Sequence, residues 1–516
     1  MAVNLSDIEW DAWERESPGP ILEFMGSVFT RQDVAGWARQ FDALLEDAAV
    51  AADTPISLVS RNRPLNAVLM VAAVLKRRSL SCHYSMQSPE QLAAEIRSMR
   101  PPVFVADARD WTPPVLAAAR EVGLVGIRLD LAADQPIAFV PGLERRGEGP
   151  FRDPLPSAGI EILSSGTTGA PKRVLMKLEQ LSRFVHMVKT TIPPGEGLPP
   201  VLLMYPLSSV GGAGAIVPNL LLGRYVALFE KFTVESWVEA VKRLRPPSFV
   251  VPPTVLRMII DAKVPPEAMS SIKYVYGGGA RLAPELQAEF EDLYSVKVIW
   301  GYGATEFCGT IATWSPELYD QFDKTKRGAV GRVVPGLQVR TVDLETGLPQ
   351  PVNSEGYLEA LIPEISDDWI HTTDIVRIDE DGFMFHLGRG DGAIVRGGFK
   401  VLPESIVAVL KQHPLVGDVG IVGLPDPRLG QVPVAVIEAG AEARPDVADL
   451  EAFARKNLLS HQVPARFLIV DELPRNGNMK IDQRALSALV EGHLGNPATQ
   501  HEPAAAAGTD RAPLPE

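Results

Sequence analysis

The tightest constraint on the fold is an alternation of short apolar runs with helical segments. Arg31 to Glu46 places apolar residues at helical spacing behind Thr30, a residue type suited to capping a first turn. Ile56 to Val59 is a short apolar strand, and Leu65 to Leu75 is an apolar helix ending in Lys-Arg-Arg. Pro89 to Ser98 is a further helix, followed by the strand Val103 to Ala106. Parallel strands need a long crossover between them, and a helix supplies it while covering one face of the sheet. The pattern therefore predicts a parallel sheet with helices on both faces. It resumes after residue 160. Phe249 to Pro252, Tyr274 to Tyr276 and Val296 to Trp300 are short apolar runs, each followed by Gly or Pro turns and a helical segment. The expected class is α/β, with doubly wound sheets.

From Gly331 to His386 the texture changes. Alternating stretches such as Tyr357-Leu-Glu-Ala-Leu-Ile and Gly382-Phe-Met-Phe-His-Leu, separated by Asp-Gly and Thr-Gly turns, predict a small antiparallel β-subdomain. After Gly388-Arg-Gly-Asp-Gly392 a compact α+β domain is expected. Its elements are a helix near Pro403 to Gln412, strands near Val419 to Gly423 and Val432 to Ala439, a helix near Val447 to Leu458, and a strand near Arg466 to Val470. A chain of 516 residues is too long for one core. The expected division is a large N-terminal domain at 1–387, with 331–387 as its β-subdomain, a link at 388–391 and a small C-terminal domain at 392–495. The Pro/Ala-rich residues 496–516 are expected to be a disordered tail.

Composition narrows the function. A hydrophobic content of 46% with 22% charged residues is that of a globular protein. The net charge of −14 argues against nucleic acid as a partner, since phosphate backbones are gripped by clustered Lys and Arg. A local glycine-rich loop can still hold a triphosphate in an acidic protein. The two cysteines, Cys82 and Cys308, lie far apart and outside any CxxC, and the eight histidines form no HExxH. A disulfide and a zinc site are therefore not expected. The acidic N-terminus lacks the apolar core of a signal peptide. Val201 to Gly223 carries no charge and has the length of a membrane span, but its glycines and prolines would break a helix repeatedly. A buried strand, a glycine-rich turn and a core helix are expected there, with no membrane span and a cytoplasmic location.

The segment richest in chemistry is Leu163-Ser-Ser-Gly-Thr-Thr-Gly-Ala-Pro-Lys-Arg173. Glycines let backbone N–H groups converge on an anion, hydroxyls add donors, and Lys172 adds a charge. It is not a Walker loop, because GxxxxGK[ST] is absent. Taken alone it is a phosphate loop or a polar turn. Ser164-Ser-Gly-Thr-Thr-Gly-Ala-Pro-Lys172 closely resembles the phosphate loop of the adenylate-forming superfamily, which contains acyl-CoA synthetases, peptide-synthetase adenylation domains and luciferases. Four further motifs follow in family order: Tyr302-Gly-Ala-Thr-Glu306, Thr372-Thr-Asp374, Gly388-Arg-Gly-Asp391 leading into Arg396-Gly-Gly-Phe-Lys400, and Pro474-Arg-Asn-Gly-Asn-Met-Lys-Ile-Asp482. The resemblance spans about residues 20 to 490 and is greatest to bacterial carboxylic acid–CoA ligases.

It implies a role for each motif. ATP, Mg²⁺ and coenzyme A are the implied cofactors, with a small-molecule carboxylic acid as substrate. Ser164, Ser165, Gly166, Thr167, Thr168 and Gly169 with Lys172 would hold phosphates. Glu306 would be the Mg²⁺ ligand, Thr305 would bond the α-phosphate, and Tyr302, beside Gly303, would lie against adenine. Gly278, Gly279 and Ala280 would pass along the adenine and acyl pocket. Asp374 would accept both ribose hydroxyls, since a carboxylate has two acceptor oxygens for a vicinal diol. Arg389 would contact ribose. Asp391, flanked by Gly390 and Gly392, falls at the family's hinge, about which the small domain is mobile. Gly397 and Gly398 would line the pantetheine tunnel, and Lys480 would reach the site during adenylation to stabilise charge around phosphorus. The resemblance admits a homodimer.

Two departures matter. Thr373 stands where the family usually has Gly. In Leu203 to Gly212, Ser209 stands where many acyl-CoA synthetases carry a histidine that shapes the acyl and thiol ends of the pocket. Leu207 is the nearest counterpart of the Asp with which amino-acid-activating relatives bind an ammonium group. An apolar pocket without that counter-charge favours an aliphatic or aromatic acid over an amino acid. Leu207, Ser209, Gly211, Gly212, Val251, Thr254 and Tyr276 are the candidate lining, though each is equally compatible with ordinary core. The expected reaction is acyl-AMP formation with release of pyrophosphate, then transfer to coenzyme A. The alternative keeps the adenylation and transfers to an amine or a carrier-protein thiol.

Overall fold

A capping box opens the first helix among the described residues. Thr30 Oγ1 accepts from the Asp33 amide while the Asp33 carboxylate accepts from the Thr30 amide, and Arg31–Asp47 follows. The computed structural model describes residues 19–85, 87–163, 173–190, 198–280, 282–363, 365–396, 399–426, 429–440, 443–476 and 479–494. The expected tail at 496–516 lies outside them. The chain forms two compact units, the first running to Asp391 and the second beginning at Gly392.

Among the described residues the first unit holds four sheets. The largest has the strand order Ile137–Phe139, Val125–Leu129, Val103–Asp107, Ile56–Ser60, Ser79–Tyr84, Gly159–Leu163, Arg173–Lys177. Its five central strands pair parallel and the two outer ones antiparallel. The helix Pro64–Leu75 is buried almost all round, which is why its sequence is apolar on every face. A second sheet runs Ser248–Val251, Tyr274–Gly277, Lys297–Ala304, Gly309–Thr313, Arg332–Val333. Its first three strands are parallel and the rest antiparallel. The third sheet, Val201–Leu203, Val226–Leu228, Pro20–Phe24, Ser27–Thr30, meets the first at Asn62. Asn62 Nδ2 donates to the carbonyls of Met204, Tyr205 and Phe229 at 3.3, 3.0 and 3.1 Å, and its Oδ1 accepts from the Leu207 amide at 2.9 Å.

The expected antiparallel β-subdomain is present as Gln338–Val342, Glu355–Leu361, Ile370–Ile378 and Met384–Arg389. Its first strand begins at Gln338 rather than near Gly331, because Arg332–Val333 pairs with Gly309–Thr313 at the edge of the second sheet. Val201–Leu203 is a strand as expected, but the following glycines are not a turn. Gly211, Gly212 and Gly214 lie inside the helix Val210–Leu221. A side chain at Gly212 would meet the Pro206 carbonyl at 2.0 Å and one at Gly214 the Phe184 ring at 2.7 Å, so close packing explains the glycines. No helix among the described residues is long and apolar enough to cross a membrane.

The second unit is a sheet ordered Phe399–Val401, Ile394–Arg396, Gly430–Ala439, Val416–Asp426, with Arg466–Val470 pairing parallel to Gly430–Ala439. The helices Pro403–Leu410 and Val447–Asn457 bury Ile406, Leu410, Leu450 and Ala454 in its main core.

Candidate active site

The strand expected to stop at Trp300 continues to Ala304. Gly301–Ala304 leaves the parallel partner and pairs antiparallel with Gly309–Thr313. Glu306 therefore sits not in a loop after a parallel strand but in the 3-10 turn Thr305–Phe307 at the tip of a hairpin. Gly303 is required there, since a Cβ would lie 2.2 Å from the Gly309 carbonyl oxygen. Thr305 is half-buried and Glu306 exposed. The neighbouring strand Tyr274–Gly277 ends in Gly278, Gly279 and Ala280. Trp300 holds this loop by donating from Nε1 to the Ala280 carbonyl at 3.1 Å, and its ring covers Gly277 so closely that a Cβ there would lie 2.1 Å away. The two glycine-containing segments thus emerge side by side at the carboxyl end of a parallel pair, where open α/β sheets bind ligands.

Tyr302, Asp374 and Arg389 come together. The Tyr302 hydroxyl donates to Asp374 Oδ2 at 2.7 Å. Arg389, opposite Asp374 in the ladder, places Nη1 3.8 Å from Asp374 Oδ1 and donates from Nη2 to Thr373 Oγ1 at 2.7 Å. The Thr that replaces a family Gly thus serves as an acceptor for the arginine. Behind the carboxylate, the Asp374 amide donates to Thr372 Oγ1 at 3.2 Å, and that hydroxyl donates to the Leu358 carbonyl at 2.9 Å.

Sequence reasoning missed His386. Its Nε2 lies 3.0 Å from Asp374 Oδ1 and its ring stacks on Tyr302, with centroids 5.5 Å apart and planes at 28°. Burial works against a charge on Asp374, but the hydrogen bonds from His386 and Tyr302 and the charge of Arg389 outweigh it and hold the carboxyl below its usual range. Burial and the adjacent carboxylate push the Tyr302 hydroxyl far above a normal phenol, so it stays a donor. The only hint in the sequence is a polar residue set between Phe385 and Leu387.

Ser164, Ser165, Gly166, Thr167, Thr168, Gly169 and Lys172 lie outside the described residues, which resume at the strand on either side. Leu163 and Arg173 are ladder partners. Tyr84 donates to the Leu163 carbonyl at 3.0 Å, and Arg173 bonds Glu95, Glu161 and the Cys82 carbonyl. Gly397 and Gly398 also lie outside the described residues. Asp391 ends the first unit, in the short turn Gly390–Gly392.

Of the candidate pocket lining, Leu207 and Val251 pack into the cores, 1% and 0% exposed. Ser209 caps Val210–Leu221, accepting from the Gly212 amide at 3.0 Å and donating to the Pro206 carbonyl at 2.7 Å. Gly211 and Gly212 form the first turn of that helix, Thr254 lies in the first turn of Pro253–Asp261, and Tyr276 is half-buried on Tyr274–Gly277.

Lys480, a residue of the second unit, follows Met479 (φ 59°) and is held in a turn by the Asn476 amide on the Lys480 carbonyl at 2.8 Å and by the Lys480 amide on Asn476 Oδ1 at 3.2 Å. Arg475 moors this turn, donating to Asp418 at 2.7 Å, while the Leu473 amide donates to Glu438 at 2.7 Å.

A family model described as AMP-binding enzyme matches residues 10–360, and one described as AMP-binding enzyme C-terminal domain matches residues 406–480. The chain belongs to the AMP-binding enzyme family. Among its relatives, the 2-succinylbenzoate–CoA ligase of Geobacillus kaustophilus is 31% identical over 349 residues, 64% of this chain and 69% of that one. The 4-coumarate–CoA ligase-like 2 of Arabidopsis thaliana is 27% identical over 358 residues, 64% of this chain and 61% of the plant protein. The match thus spans about three-fifths of the plant relative. The fold is that of ATP-bound MatB from Rhodopseudomonas palustris, with a TM-score of 0.79 at 20% identity, over 96% of this chain and 100% of the other.

A magnesium ion suits the donors of this AMP-binding enzyme. Among the described residues no three ligating side chains cluster, and Glu306 stands as a single exposed carboxylate. Mg²⁺ is commonly held by one or two carboxylates with substrate phosphates and water supplying the rest.

Proposed function

We propose that this chain is an ATP-dependent carboxylic acid–CoA ligase that forms an acyl-adenylate and passes the acyl group to coenzyme A. The observation that carries the reading is the Asp374 carboxylate, kept ionised beside Tyr302 and Arg389. Membership of the AMP-binding family supports it.

Asp374 accepts the ribose hydroxyls and Arg389 contacts the sugar. Tyr302 and the loop Gly278, Gly279, Ala280 flank the adenine. Ser164 to Gly169 with Lys172 hold the phosphates, and Thr305 bonds the α-phosphate. Glu306 would hold a magnesium ion, which when bound would supply charge neutralisation at the phosphate oxygens. The acid carboxylate attacks the α-phosphorus and pyrophosphate leaves. Lys480 places its ammonium where negative charge accumulates. The second unit then turns about Asp391 and brings in Gly397 and Gly398 for the thiol, whose sulfur attacks the acyl carbon and releases AMP. The acid is aliphatic or aromatic and not an amino acid. The named activities of the relatives put aromatic acids first among those to try.

Acid-dependent ATP–pyrophosphate exchange across a panel of acids tests the first half, and mass spectrometry of products with coenzyme A, amines and a carrier protein tests the second. Exchange with at least one acid and an acyl-CoA product are expected. No exchange with any acid would refute the proposal, and an amide as sole product would move the acceptor from thiol to amine. Lys480→Ala should lower exchange by about a hundredfold or more, as loss of one transition-state charge does, and leave thioester formation from preformed acyl-AMP nearly intact. Equal loss in both steps would remove Lys480 from its role.

A further inference from the structure

Asp374, Tyr302 and His386 close a triangle across two sheets. Tyr302 stands on Lys297–Ala304 of the second sheet, and Asp374 and His386 on adjacent strands of the β-subdomain. Tyr302 bonds one carboxylate oxygen at 2.7 Å, His386 the other at 3.0 Å, and the two rings stack. An ionised carboxylate cannot donate, so His386 Nε2 carries the hydrogen and Nδ1 is an acceptor while the ring is neutral. Each Asp374 oxygen is left with a lone pair to accept one hydroxyl of a vicinal diol.

We propose that His386 is the positioning residue for the nucleotide ribose: it fixes the rotation of the Asp374 carboxylate and the plane of the Tyr302 ring, so that diol and base are met by a preformed frame. This rests on the nucleotide reading of the site above. The groups facing the imidazole divide its work. Tyr302 takes its flat face, Asp374 takes its N–H, and Arg389, with Nη1 3.8 Å from the same Asp374 oxygen, adds charge. Without His386 the carboxylate loses the hydrogen bond on Oδ1, is less restrained about its Cβ–Cγ axis, and part of the binding energy of the diol then goes into reordering it. A preformed frame acts on ground and transition states alike, so its loss should appear in KM for ATP more than in kcat.

The test uses the full chain and two variants. His386→Phe keeps a flat ring against Tyr302 and loses the donor. His386→Gln keeps a donor and loses the ring. Calorimetric binding of AMP and the ATP dependence of exchange are measured for each. His386→Phe should weaken AMP and raise KM for ATP about tenfold with kcat within about twofold, the size of a lost hydrogen bond to a charged group. His386→Gln should recover most of that loss. With 2′-deoxy- or 3′-deoxy-ATP the penalty of His386→Phe should shrink, because the diol being oriented is incomplete; a merely structural role would leave it unchanged. Unaltered AMP affinity in His386→Phe, or a loss confined to kcat, overturns the inference while the nucleotide reading stands. A wild-type chain that binds no AMP overturns both.

Discussion

The Ser209 hydroxyl donates to the Pro206 carbonyl and accepts from the Gly212 amide, so its bonds serve the start of Val210–Leu221. Ser209→Ala should lower stability by about 1 kcal/mol, the ordinary loss of an N-cap. Urea unfolding checks this, and the ratio of thioester to amide products should not move. A shift in that ratio would mean that the hydroxyl meets substrate after all. Thr373 acts in a similar way, as an acceptor for Arg389, and so does not disturb the carboxylate beside it. Tyr302, Asp374 and Arg389 were legible because each sits in a dense motif. His386 was not. It lies opposite Val376, and it reaches Asp374 through the strand register and the irregularity between Ile375 and Val376, which local composition does not encode.

Among the elements, the hairpin Lys297–Ala304/Gly309–Thr313 shows how composition misleads at a strand end. Gly301-Tyr-Gly-Ala304 has the glycines of a turn, yet pairs as a strand because small residues admit the close approach of Gly309. The interior strands were legible from apolar runs with turn residues after them, as at Ile56–Ser60 and Tyr274–Gly277. In the second unit, the turn carrying Lys480 depends on Arg475, which joins Asp418 and Glu438. Burial disfavours the Asp418 charge, but Lys411 and Arg475 outweigh it and keep its carboxyl below the usual range. Arg475→Met should let the turn drift and lower exchange about tenfold, while thioester formation from supplied acyl-AMP changes little. A matched fall in both would point to general unfolding of the unit.

At the level of the molecule, a half-buried chain of charges runs beside the strands Gly159–Leu163 and Arg173–Lys177. Arg152 pairs with Glu161, Arg173 joins Glu161 to Glu95, and Glu95 Oε2 lies 3.1 Å from Nδ1 of fully buried His83. Burial lowers the basicity of His83 below the usual 6.5. Burial opposes the Glu95 charge, but the contacts with His83, Gln87 and Arg173 bring it from the usual 4.5 down to about 2. Both groups bind protons less readily folded than unfolded. Their contribution to stability is complete above about pH 6.5 and falls on acidification, first through His83 and then, below about 4.5, through Glu95. His83→Gln should flatten the fall between pH 7 and 5, measured as urea midpoints. An unchanged slope would exclude His83 as its source.

Asn62 carries a different consequence. One amide side chain touches four main-chain groups following strands of the third sheet, its two N–H hydrogens shared among three carbonyls, while its own backbone continues Ile56–Ser60 of the first. Neither sheet can come apart at that junction without stripping the other of its partners. The two should therefore behave as one cooperative block on heating, lost together in a single calorimetric step rather than peeling away in turn.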